Sequence, residues 1–113
     1  MPPEARELLH DIDAAAGEIA AMLAGKGLTH FTAERALRLS VERLLITIGE
    51  AVAQLSKHHP SVADRLSHRR EIIAFRNILV HGYAVIGVER VWEIAEGDLG
   101  NLRREIAALL ASP

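Results

Sequence analysis

Eight consecutive residues, Arg76-Asn77-Ile78-Leu79-Val80-His81-Gly82-Tyr83, bring a guanidinium, an amide, an imidazole and a phenol together inside an apolar run. Ile72, Ile73, Phe75, Ile78, Leu79 and Val80 leave that segment little polar surface. An element so apolar is expected to be covered by neighbours, which gathers its polar groups in a pocket or an interface. Asn77 and His81 are four apart and share one helical face, so the amide can fix the imidazole tautomer. Arg76 and His81 are five apart, about 140° round the axis with a rise of roughly 7.5 Å, and do not converge within one ideal helix. A two-fold dimer would place two copies of the pair around one cleft.

The chemistry this set suits is cleavage of RNA without a metal. Histidine titrates near neutrality and can take a proton from a ribose 2′-hydroxyl or give one to the leaving oxygen. Arginine can grip the scissile phosphate and stabilise the charge that builds on it. Attack by the 2′-hydroxyl leaves a cyclic phosphate, and DNA, lacking that nucleophile, is inert. Upstream, Arg65, His68, Arg69 and Arg70 fall with Arg76 inside twelve residues, and arginine outnumbers lysine eleven to two. Arg69 and Arg70 are therefore candidate phosphate contacts. The plainer alternative is that these are surface charges, that Arg76 pairs with an acid, and that His81 only finishes a helix.

Four helices should position these groups. Residues 4–24 carry Leu8, Ile12, Ala15, Ile19, Met22 and Leu23 at helical spacing, stopped by Gly25-Lys26-Gly27. That Gly-Lys is not a phosphate loop, because it follows a helix and lacks the upstream glycine. A second helix is expected from Thr32, as N-cap, to Ser56, with Leu37, Val41, Leu44, Ile48, Ala51 and Leu55 along its stripe. Leu45, Ile46 and Val52 widen the stripe, making this the central helix. Glu50 within it must either meet a buried partner or face solvent. His58-His59-Pro60 ends the helix, and two adjacent histidines point apart, which disfavours a metal site. A third helix covers 68–81, with Gly82 placed to close it and His81 near its open carbonyls. The last pattern runs over 88–110, with a bend or break near 97–100 where Gly97 and Gly100 flank Asp98, a candidate cap.

The chain of 113 residues fits one domain, residues 1–113, half apolar with four aromatic residues. With no cysteine it has neither a disulfide framework nor a thiolate site, and it reads as intracellular. No run approaches a membrane span, and Met1-Pro2-Pro3-Glu4 lacks the regions of a signal peptide. The net charge of −2 excludes a general nucleic-acid sponge. The expected architecture is all-α, an up-and-down bundle of four main helices.

With its surroundings, the motif resembles the Arg-x4-His-x-Tyr signature of HEPN-domain proteins, specifically the HepT-like toxins. The likeness extends to Leu45-Ile46-Thr47-Ile48-Gly49-Glu50-Ala51, to Phe75 and to Val91-Trp92, and covers the chain from about residue 32 onward. One departure is Gly100 in Asp98-Leu99-Gly100, where the family pattern leads one to expect proline. The resemblance implies a cytoplasmic helical homodimer acting as a ribonuclease toxin on RNA, tRNA being one candidate. Arg76 and His81 would then be the catalytic pair and Asn77 the polar residue beside the arginine, with no cofactor. It also implies a minimal nucleotidyltransferase antitoxin, MntA-like, that transfers AMP from ATP to Tyr83. Tyr83 is the only tyrosine in the chain, and an added AMP there would set a bulky anion beside the cleft. The competing reading is a non-catalytic helical dimer that binds and regulates a neighbouring nucleotidyltransferase.

Overall fold

The longest helix, α3 (Arg35–His58), lies at the centre of the bundle. Its residues Val41, Ile48, Val52 and Leu55 recur at helical spacing and are almost completely buried. In this computed structural model, which describes residues 1–82 and 86–112, α3 packs on α1 (Pro3–Leu23) along one side and on α5 (Arg69–His81) along another. The closing helix α7 (Leu99–Ala111) returns to α1. Leu9, Ile12 and Ile19 of α1 meet Leu102 and Ile106 of α7 in the same core. Among the described residues there is no strand, so the all-α bundle expected from the spacing is the fold.

Polar ties hold the helices in register. Arg6 donates to the carbonyls of Leu110 and Ser112, at 2.9 and 3.3 Å, satisfying acceptors that the end of α7 leaves open. Asp13 of α1 accepts from Arg103 Nε of α7 at 3.3 Å. The α4 turn (Pro60–Ala63) and the short link that follows carry the chain into α5. There Glu105 of α7 accepts from the backbone N–H of Ser67 and from its hydroxyl. Glu105 thus fastens the approach to α5, the helix bearing Arg76 and His81.

The start of the central helix differs from the sequence expectation. Thr32 does not cap it but lies inside a separate short helix, α2 (Leu28–Ala33), and α3 begins after an extended residue, Glu34, with φ −103° and ψ 96°. The cause is tertiary. Phe31 is fully buried, its ring 5.4 Å from that of Trp92 and tilted by 50°, which draws the 28–33 turn toward α6 (Val88–Glu93). Arg38 then donates to the carbonyls of Phe31 and Thr32 across the break.

The bend expected near 97–100 appears slightly earlier, as a π-helical turn over Ile94–Asp98 joining α6 to α7. Asp98 keeps helical dihedrals and makes no capping bond through its side chain, so the helix carries on through a widened turn without restarting. α5 itself runs almost as its spacing requires. Gly82 closes it at φ 62°, in the left-handed region that glycine enters without strain, with its N–H bonded to the Ile78 carbonyl.

Candidate active site

Among the described helices of comparable length, α5 alone buries none of its residues completely. The expectation that the apolar run at 72–80 would be covered does not hold within one chain. Ile72, Ile73, Phe75 and Leu79 turn partly inward, while Ile78 is 40% and Val80 46% exposed. The reason is topological: among the described residues α5 packs chiefly on α3, which covers one side of the helix.

Arg76 sits on the inner side. Its aliphatic stem lies against Gly49 in the buried middle of α3, so closely that a Cβ on that glycine would fall 2.3 Å from Arg76 Cβ. Arg76 Nε is buried and has no hydrogen-bond partner among the described residues. An unpaired donor of this kind destabilises by about 1–3 kcal/mol until an acceptor arrives. Toward solvent, Arg76 borders an open groove of about 660 Å³ between α1, α3 and α5, which Asp11, Glu18, Thr47, Glu50 and Gln54 also line. Glu50 is therefore the solvent-facing residue of the two options considered, set in the same groove as the arginine.

Asn77 and His81 lie on the outer side of α5 and are exposed. One chain thus separates the motif as helical geometry demands, with Arg76 toward the groove and His81 at the C-terminal end of the helix. Arg70 is exposed, whereas the Arg69 guanidinium is held by the Asp64 carboxylate at 3.0 Å. Arg69 is 31% exposed, so this pair is a surface contact that an arriving phosphate can exchange for. Tyr83 lies outside the described residues. Among those described, no three His, Cys, Asp or Glu side chains are placed to share a metal ion.

Two features of the site were not read from the sequence. The first is the acidic wall of the groove, which takes Asp11 and Glu18 from α1 and Glu50 from α3. The seven-residue spacing of Asp11 and Glu18, two turns on one face, was the available signal. The second is the contact between Gly49 and Arg76, for which a glycine in an otherwise apolar helix was the hint.

Fold and motif together define an all-α domain of the HEPN type. The chain belongs to the HepT-like ribonuclease family, whose model matches residues 12–109. Two proteins of Methanocaldococcus jannaschii are similar to it. "Putative RNase MJ1380" is 24% identical over 103 residues, which cover 91% of this chain and 94% of the relative. "Putative RNase MJ1216" is 27% identical over 82 residues, 71% of this chain and 65% of the relative. No solved structure matches the chain. Among the described residues, no helix is long and apolar enough to cross a membrane.

Proposed function

We propose that this chain is a metal-independent endoribonuclease toxin that cuts RNA, with tRNA a candidate, using Arg76 and His81 at the interface of a homodimer. The observation that carries this reading is the intact Arg76-x4-His81 motif on α5 of a chain belonging to the HepT-like ribonuclease family. His81 stands at the exposed end of the helix, where RNA can reach it. There it moves one proton, either from the 2′-hydroxyl that attacks the phosphorus or onto the departing 5′-oxygen. The P–O5′ bond breaks as the P–O2′ bond forms, leaving a 2′,3′-cyclic phosphate and a free 5′-hydroxyl. Arg76, which borders the open groove, contributes charge and donors to the phosphate oxygens. Asn77, one turn before His81, steadies the imidazole, while Arg69 and Arg70 at the start of α5 engage flanking phosphates.

The need for a partner copy follows from the distance between the two catalytic groups along and around α5. The exposed Ile78 and Val80, two residues apart and so on opposite flanks of α5, offer it apolar contacts on either side of Asn77 and His81. Control belongs to a minimal nucleotidyltransferase antitoxin that places AMP on Tyr83, one residue past the glycine that ends α5. The added phosphate occupies the neighbourhood RNA must enter and repels its backbone.

Incubating purified protein with RNA in EDTA tests the reaction. Expected products carry cyclic-phosphate and 5′-hydroxyl ends, and an oligonucleotide with deoxyribose at the cut position stays intact. An absolute requirement for a divalent cation, or 3′-hydroxyl products, would overturn the assignment.

A further inference from the structure

Gly49 of α3 lies directly against the root of the Arg76 side chain on α5. A Cβ there would lie 2.3 Å from Arg76 Cβ, 2.7 Å from Arg76 Cγ and 3.4 Å from the Ile72 carbonyl oxygen. The first two distances are far inside van der Waals contact, and the atoms met are the root of the side chain, which cannot swing away. Any residue other than glycine must push α5 back by about 1 Å, carrying Arg76 with it. α5 can make that movement as a unit, since it buries no residue completely and packs chiefly on α3.

We propose that Gly49 is a positioning residue for Arg76: the absence of its side chain seats the arginine stem on α3 and holds the guanidinium at the rim of the groove. The proposal rests on the reading of Arg76 as catalytic, but its geometric half stands apart from it. The Nε of the same side chain is buried, so it reports on how the arginine is seated. Loss of helix stability cannot produce the same effect, as alanine is the better helix former in the middle of α3.

The test uses the full chain as wild type, Gly49→Ala, and Gly17→Ala as control. At Gly17 in α1 an added Cβ meets the far end of Arg103, Nη2 at 3.5 Å and Cζ at 3.9 Å, both ordinary contacts. Arginine side-chain NMR reads the Arg76 Nε–H directly. In Gly49→Ala that resonance is expected to move and to exchange faster with water. RNA turnover should fall on the order of 10²-fold, mainly in kcat, as misplacing a catalytic group by about 1 Å does. Gly17→Ala should match wild type in both measurements. A melting-temperature cycle guards against a poorly folded variant: Gly49→Ala should lower Tm beside Arg76 and not beside Arg76→Gly, which removes the clashing atoms. An unmoved Nε–H, an unaltered turnover in Gly49→Ala, or equal Tm losses in both backgrounds would overturn the proposal. Equal cleavage by wild type and Arg76→Ala would instead remove Arg76 from the chemistry, leaving the NMR and Tm readouts to decide the seating alone.

Discussion

The exposed side of α5, flanked by Ile78 on one edge and Val80 on the other, should close against a second copy, and Ile78→Asp/Val80→Asp measures how strongly. Full burial of an Ile or Val side chain is worth about 1.5–3 kcal/mol. Ile78 is 40% and Val80 46% exposed, so covering what remains gives roughly 1 kcal/mol for each. A two-fold axis doubles the pair to four side chains and about 4 kcal/mol. At 1.4 kcal/mol per decade, that is roughly a 10³-fold weaker dimer when both are lost, before counting the desolvation of the new carboxylates. Comparing two forms of one dimer cancels the common translational and rotational cost of association. Sedimentation equilibrium between nanomolar and high micromolar concentrations reads the shift, while circular dichroism confirms that the monomer keeps its helices. Cleavage per chain should fall with the fraction of dimer. The reasoning fails if the wild type is monomeric at micromolar concentration, or if the double variant dimerises as well as the wild type.

The acidic wall of the groove should work against RNA binding. Glu50→Gln is expected to lower KM by about 2–3-fold at low ionic strength, the gain fading as salt shortens the screening length; no change at low salt would remove Glu50 from the substrate's path. Glu105→Ala leaves the N–H and hydroxyl of Ser67 without their acceptor at the entry to α5. Because these groups are exposed, the expected loss is about 1 kcal/mol, a Tm lower by roughly 4 °C; an unchanged Tm would show the tie to be dispensable. Tyr83→Phe should cleave RNA as the wild type does yet resist silencing by the antitoxin with ATP; continued gain of AMP in its intact mass would place the modification elsewhere.

Much of the scaffold was legible because local and global preferences agree. Ile12, Ala15 and Ile19 in α1, and Val41, Ile48 and Leu55 in α3, repeat at helical spacing and are residues that pack, while in the first turns of α1 it is Leu9 that is buried in place of the expected Leu8. Gly82 was readable as the end of α5 because only a left-handed residue closes a helix that way. The break at Glu34 was not, since it depends on Phe31 being drawn under Trp92, sixty-one residues away in the chain. The π-helical turn was placed a few residues late for a related reason: Gly97 and Gly100 suggested where a helix could weaken, while burial of Ala95 and Leu99 settles how it bends. Within the site, the motif and its helix were visible, and so was the angular separation of Arg76 from His81. The exposed outer face of α5 was not, because hydrophobicity says that a surface will be covered without saying whether its own chain does so.

The most direct test of the central claim compares wild type with His81→Ala in EDTA on the same RNA, with an intact mass confirming that Tyr83 is unmodified and light scattering confirming the dimer. Removing a general acid or base slows such a reaction by about 10²–10⁴-fold, so the wild type should cut and the variant should not, with fold and assembly unchanged. Equal cutting by the two, or none by unmodified wild-type dimer, would contradict the account.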